Sequence, residues 1–253
     1  MLKDGALAQH VLNLLVLDTA TDRCALACSV DGKVFENTRS IPRLHNKYLL
    51  EMLSELFDAA EISPRALSAI GFAAGPGSFT GIRISAAVSQ ALAVGAGASV
   101  VPLASSRLLA QAAKRTQLLP DTVLGTQGNK MLGGIQTVLR SRAKFAYLGS
   151  FEFGGADSFE RVAQDRLMDD AALAAQPLPE GWVRVMDASA DEAAALGAVP
   201  VALEVADLLM LTEQALAWGD ELPAEGAQPR YVEGDTPWLP NNLPKQQSTE
   251  RPQ

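Results

Sequence analysis

The pattern richest in possible chemistry is Gly75-Pro76-Gly77-Ser78-Phe79-Thr80-Gly81-Ile82-Arg83-Ile84. A short apolar run, Ala69 to Ala74, precedes it, and an alanine-rich helical pattern, Ile82 to Ala96, follows. Glycine lets a backbone approach a ligand closely, and the free N–H groups at a helix start attract anions. A strand, a glycine turn and a helix start could therefore cradle phosphate. The lysine-bearing phosphate loop does not fit, because the segment holds no lysine. The dinucleotide fingerprint does not fit either: its third glycine would stand at Thr80, and Gly81 comes one residue late. Gly75, Gly77 and Gly81 are expected chiefly to set a turn and begin a helix. Nucleotide contact by Gly75 and Gly77 is the competing reading.

A second constellation, Asp18-Thr19-Ala20-Thr21, ends the apolar run Leu12 to Leu17. Asp18 could help hold a hydrated metal ion near phosphates, with Thr19 and Thr21 as hydroxyl donors. The plainer reading has Asp18 accepting backbone N–H bonds in its own turn. No second acidic partner for Asp18 can be picked out. Arg83 sits in the first turn of its helix, where a cation opposes the dipole, so it needs an acceptor; an intramolecular carboxylate is expected. His45 follows Arg43 closely, but no Ser or Cys nucleophile can be tied to it, and a hydrogen bond from helix to loop is expected. Cys24 and Cys28 share one face of a strand, too far apart for a simple bridge, and read as buried, reduced thiols. With only two histidines, His10 and His45, a Cys/His zinc site is not expected.

The elements that must position these residues follow from hydrophobic period. Leu12 to Leu17 reads as a buried strand, Cys24 to Val30 as a second, and Lys33 to Thr38 as a third after the Asp31-Gly32 hairpin turn. Leu49, Met52, Leu53, Leu56, Phe57 and Ala60 form one helical stripe. Ser63-Pro64 starts a short helical turn. Ala69 to Ala74 is strand four, Ser78 or Thr80 caps the next helix, Ser99 to Leu103 is strand five, and Ser105 to Arg115 is a helix. The order β-β-β-α-β-α-β-α implies a mixed sheet with helices on its faces. In the second half, strands are expected at Thr122 to Thr126, Gly134 to Leu139 and Lys144 to Ser150, and a helix at Val205 to Trp218. Phe151 to Pro200 is ambiguous. A β-rich second half fits a duplicated fold whose copy has eroded.

That order, with Leu17-Asp18-Thr19-Ala20-Thr21 closing strand one, resembles the actin-like ATPase (ribonuclease H-like) fold, an α/β architecture of two related subdomains. The segment from Gly75 to Ile84, with Arg43 and His45 ahead of the first helix, resembles the TsaB (YeaZ) family of tRNA threonylcarbamoyladenosine biosynthesis proteins. The likeness covers residues 12 to 115 strongly and the remainder weakly. It implies subdomains at 1–115 and 116–237 and a loose tail at 238–253. It also implies a non-catalytic subunit that binds and activates its relative TsaD, the transferase of the threonylcarbamoyl group. TsaC would make the adenylate it uses, and TsaE would join a larger complex. Alone, such a chain forms a homodimer. It meets tRNA only indirectly and works in the cytoplasm. No cofactor is required, although weak binding of ATP, ADP or Mg²⁺ around Asp18, Thr19, Thr21, Gly75 and Gly77 stays open. The family's first two long helices bind TsaD; here they correspond to about Asn46 to Ala60 and Thr80 to Ala96. Two departures stand out: Gly128-Asn129-Lys130-Met131 replaces an Asp-Ala-Arg-like segment, and Tyr231-Val232-Glu233 replaces a Tyr-Leu-Arg pattern.

Charge and helix faces bear on the same question. A net charge of −8 opposes direct gripping of nucleic acid, and the densest basic group is only Arg140, Arg142 and Lys144. Residues 1–10 show no signal-peptide pattern, and no membrane span is expected. Tyr48 and Leu50 on the first long helix, and Ile84 and Val88 on the second, lie off the main apolar stripes. A helix apolar on more than one face is buried on more than one side, so these four are the expected partner interface. A stand-alone ATPase or kinase-like enzyme is the main alternative, weakened by the missing lysine. A metallopeptidase is a third, opposed by the histidine count.

Overall fold

A computed structural model of the chain describes residues 12–118, 126–127, 130–131, 133–155 and 158–232. The strand expected at Thr122 to Thr126 falls almost wholly outside these residues. So do His10, Gly128, Asn129, Glu233 and the tail 238–253.

Strand β1, Leu14–Asp18, is buried at every position, as a central strand must be. β2 (Arg23–Val30) and β3 (Lys33–Ser40) return antiparallel. Asp31 and Gly32 turn between them with φ of 50° and 75°, the left-handed angles of a two-residue hairpin. Helix α1, His45–Ala59, buries Leu49, Met52, Leu53, Leu56 and Phe57, so the sequence stripe is the core face. Ser63 caps a 3₁₀ turn at Pro64–Ala66 by accepting from the Arg65 N–H. Then come β4 (Ala69–Gly75), α2 (Phe79–Ala96), β5 (Ser99–Ala104) and α3 (Ser105–Arg115). The sheet order is β3-β2-β1-β4-β5, with β1, β4 and β5 parallel.

The second half repeats the plan. After the small hairpin β6 (Thr126–Gln127) and β7 (Lys130–Met131), a meander runs through β8 (Gly134–Arg142), β9 (Phe145–Gly155) and β10 (Ser158–Asp169). Helix α4 (Asp170–Ala175) leads to β11 (Trp182–Met186), which joins β8 in parallel, and α5 (Ala190–Ala195) leads to β12 (Val199–Pro200). The order is β10-β9-β8-β11-β12. Counted within its own half, each sheet reads third, second, first, fourth, fifth. The chain therefore has the two-subdomain α/β, actin-like (ribonuclease H-like) fold. The region Phe151 to Pro200 holds the end of β9, strands β10, β11 and β12, and two helices of six residues each, too short for a helical period to show.

Helices α1 and α2 lie side by side on one face of the first sheet, over Leu15, Leu17, Leu26, Ile70 and Phe72. Helix α3 and helix α6 (Val205–Trp218) cover the other face. α3 also touches β8, β9 and β11, so it is buried between the two sheets. Strands β1 to β5 lie before residue 115 and β6 to β12 after it, but α6 packs on β1, β2, β4 and β5 and so belongs to the first layer. Residues from both ends of the chain build that layer. α2 has the length and apolar composition to cross a membrane, though it lies on β4 and on the 3₁₀ turn.

Candidate functional site

A cleft of about 750 Å³ opens where β1 and β4 end. β1 runs to antiparallel β2 on one side and pairs with parallel β4 on the other, so their carboxyl ends form a topological switch point, the usual crevice for ligands. The first half of the chain supplies Asp18, Thr21, Arg23, His45 and Gly77; the second half supplies Arg140, Asp187 and Glu192.

Asp18 is 4% exposed, and its Oδ1 accepts the Ala20 N–H at 2.7 Å. The turn role expected of it is therefore present. Burial pushes its pKa up to about 6, against the Ala20 hydrogen bond and the positive charge of Arg23, with Asp187 adding to the rise. Asp187 follows β11 and is the acidic neighbour that the sequence did not reveal. Burial raises its pKa too, and Arg23 opposes the rise. Arg23 Nη2 sits 2.9 Å from Asp187 Oδ2. Arg140 reaches Asp170 at 2.6 Å and Glu192 at 2.8 Å, so this member of the densest basic group is already engaged by carboxylates. His45 Nε2 donates to the Arg23 carbonyl at 3.2 Å, so the helix bonds the start of β2 rather than the expected loop.

The glycine loop is tied to the turn after β1 rather than left open. Ser78 N–H donates to Ala20 O at 2.7 Å, and Ser78 Oγ accepts the Gly81 N–H at 3.3 Å as the cap of α2. Two donors of a phosphate cradle are thus engaged internally. A Cβ at Gly77 would lie 2.7 Å from Ala20 O, and one at Gly81 would overlap Thr19 O. These two glycines are needed for backbone-to-backbone approach. Gly75, with φ of 115°, lies against the carbonyl of Arg230 and does not line the cleft.

Thr19 needs correction as a hydroxyl donor to ligand. It is fully buried, and its Oγ1 bonds Gly81 O at 2.7 Å and Ser85 Oγ at 2.6 Å, inside α2 packing. Thr21 does line the cleft, where its Oγ1 accepts the Arg23 N–H at 3.2 Å. The acceptor of Arg83 is not a carboxylate, as expected, but the Tyr231 hydroxyl at 2.7 Å. The Arg83 guanidinium also stacks 3.7 Å from the Phe79 ring centre. Cation–π contact and a phenol together replace the ion pair. Cys24 and Cys28 are free and buried, and burial pushes their pKa values up to about 12 and about 11. Among the described residues, no three His, Cys, Asp or Glu side chains gather as metal ligands.

On the outer side of the molecule, Leu50 is 70% exposed and Val94 68% exposed. Tyr48, Ile84, Val88 and Leu92 are half-buried over the core beneath α1 and α2. The four residues expected at an interface thus lie on one pair of adjacent helices.

The profile of TsaD, tRNA N6-adenosine threonylcarbamoyltransferase, matches residues 38–132. The tRNA threonylcarbamoyladenosine biosynthesis protein TsaB of Haemophilus influenzae is 37% identical over 102 residues, which is 40% of this chain and 43% of that protein. Its counterpart in Escherichia coli K12 is 34% identical over 104 residues, 41% and 45% of the two chains. A Pseudomonas aeruginosa crystal structure described as similar to peptidase YEAZ superposes with a TM-score of 0.70 at 27% identity. That match covers 87% of this chain and 99% of the other. YeaZ from the same organism gives 0.67 at 26% identity. The chain is similar to the TsaB (YeaZ) family in sequence over these matched residues and in fold over most of its length. It matches less than half the length of those two curated TsaB relatives, whereas the YeaZ structures are covered almost completely. The second half has therefore diverged from the TsaB pattern in sequence while keeping the YeaZ fold.

Proposed function

We propose that this chain is a non-catalytic subunit in tRNA threonylcarbamoyladenosine biosynthesis, acting in the cytoplasm by docking on a TsaD-type transferase. The observation that carries the reading is the α1–α2 face. Leu50 and Val94 on these two helices stand in solvent, and Tyr48, Ile84, Val88 and Leu92 on the same helices are only half-buried. Paired helices with apolar residues beyond their core stripe suit helix-on-helix contact with a chain of the same fold. The same face would serve a homodimer when the partner is missing. The family likeness supplies the pathway, and the TsaD-type match over α1 and α2 supplies the kind of partner. Contact with tRNA would then come through TsaD, and TsaE would join the pair.

The alternative, a stand-alone ATPase, has the cleft in its favour. Against it stand the engaged loop donors and the Arg23–Asp187 pair inside that cleft. Co-purification with the TsaD of the same organism, followed by reconstitution of the tRNA modification, tests the proposal. Stable pairing and modification that requires this chain are the expected results. Full modification by that TsaD alone would overturn the reading.

A further inference from the structure

Ser106, Arg107, Arg161, Asp165 and Arg230 meet where the start of α3, strand β10 and the segment after α6 come together. Arg161 Nη2 donates to Ser106 Oγ at 3.0 Å, and its Nη1 lies 3.3 Å from Asp165 Oδ2. Ser106 Oγ donates to the same carboxylate oxygen at 2.9 Å. Arg107 follows Ser106 in α3. Its guanidinium carbon lies 5.9 Å from the Trp218 ring centre, and its Nε is buried with no partner. Arg230 is anchored through its backbone, whose N–H donates to Ala74 O at 2.7 Å. Among the described residues, its guanidinium makes no hydrogen bond or ion pair.

The charges do not balance. Arg161 and Arg230 act on Asp165, and a second carboxylate, Asp220, acts on Arg107, so three guanidinium groups face two carboxylates. Burial lowers the proton affinity of Arg230 and of Arg107. The charges of Arg161 and Arg107 lower that of Arg230 further, against Asp165. The first turn of α3 has no acidic residue and no side-chain cap, so its positive end adds to the excess. Ser105 Oγ in the same turn is buried without a partner. The second oxygen of Asp165 is turned away toward Gly149, where a Cβ would lie 2.9 Å from it. Two carboxylates do not offset three crowded guanidinium groups, and an anion would reduce the remaining repulsion.

We propose that Arg107, Arg161 and Arg230, with the start of α3, form a binding site for a phosphate-class oxyanion. Guanidinium forks match the oxygens of such an anion, and Arg161 and Arg230 leave the site open to solvent. The site does not depend on the α1–α2 face, so it stands or falls separately from the proposed partner.

Calorimetric titration of the full chain with inorganic phosphate, at ionic strength held constant with chloride, tests the site. Saturable binding to one site is expected. Arg161→Gln and Arg230→Gln should each weaken it by about tenfold. Arg43→Gln, at the mouth of the cleft, should leave it unchanged. Melting curves in chloride confirm that each variant is folded, and exposed Arg230 provides the variant least dependent on packing. No saturable binding by wild type would overturn the proposal. So would equal loss in Arg43→Gln, which would move the anion to the cleft. Acetate binding as tightly as phosphate would overturn the phosphate assignment.

Discussion

Arg23 Nη2 lies 2.9 Å from Asp187 Oδ2, and this ion pair joins the two subdomains across the cleft. Arg23 comes from the start of β2 and Asp187 from the end of β11, so the pair clasps the carboxyl ends of the two sheets. The same guanidinium acts on Asp18. Replacing Arg23 by Gln leaves two desolvated carboxylates facing one another. The Arg23 side chain is 34% exposed, which reduces the loss, so the expected destabilisation is about 1–2 kcal/mol. Urea unfolding at neutral pH checks it. Asp187→Asn should cost less, because it removes a charge that burial already disfavours. Equal stability of Arg23→Gln and wild type would show that the clasp carries no load.

Asp18 makes stability depend on pH. Its folded pKa is about 6, above the ordinary carboxylate value of 3.8. A raised folded pKa means the native state holds the proton more tightly than the unfolded chain does. The resulting stabilisation is fully present below about pH 4 and is lost as pH rises through about 6. Asp187 shifts in the same direction. Asp18→Asn keeps an oxygen for the Ala20 N–H and never ionises. It should therefore gain on wild type as pH rises from about 4 to 7, by up to about 3 kcal/mol. Unfolding curves across that range decide the matter; a constant difference would contradict the burial argument.

Which parts were legible depends on length and period. The α6 limits, Val205–Trp218, can be read directly, because fourteen residues hold four turns of pattern and Gly219 closes them with φ of 74°. The α3 limits are legible for similar reasons. Asp187 is not, because it follows a five-residue strand between two six-residue helices, and no turn motif announces it. Asp18 stands at the end of the apolar run Leu14 to Leu17 and is easy to pick out. Thr19 misleads for a physical reason: residues two apart in a turn can face opposite ways, and of the two threonines only Thr21 lines the cleft. The Arg83 acceptor was illegible because Tyr231 lies 148 residues away.

Gly81→Ala should be strongly destabilising. The added carbon would overlap Thr19 O, which is backbone and cannot swing aside. Either α2 or the turn after β1 must shift, breaking the Thr19 Oγ1 bonds to Gly81 O and Ser85. A loss of about 2–4 kcal/mol is expected from thermal or urea unfolding. Alanine tolerated without loss would show that the loop and the turn are not packed as described.

Leu50→Glu should separate docking from folding. Leu50 is 70% exposed, so a carboxylate there remains hydrated in the free chain, and stability should change by less than about 0.5 kcal/mol. In a helix-on-helix contact the same charge would be buried unpaired, costing several kcal/mol, or about a hundredfold or more in affinity. Sedimentation of the variant should show monomer, and pairing with TsaD should weaken in parallel. Val88→Glu is a less clean test, because Val88 also packs over the core. Unchanged self-association and unchanged TsaD pairing in Leu50→Glu would remove the α1–α2 face from the proposal.

Magnesium-ATP turnover by the isolated chain should stay at background. Phosphoryl transfer needs donors aimed at the moving phosphate and cations free to neutralise it. Here the Ser78 N–H is held by Ala20 O and the Gly81 N–H by Ser78 Oγ. Two cleft arginines are also committed: Arg23 to Asp187, and Arg140 to Asp170 and Glu192. Asp18 itself is half protonated near pH 6, where a metal-holding carboxylate should be fully ionised. Nucleotide could still enter the cleft without reacting, so binding and turnover should be measured separately. Phosphate release on the order of one per second, abolished by Asp18→Asn, would establish the ATPase alternative. Background release with saturable ADP binding, weakened by Asp18→Asn, would instead assign the cleft a ligand without a reaction.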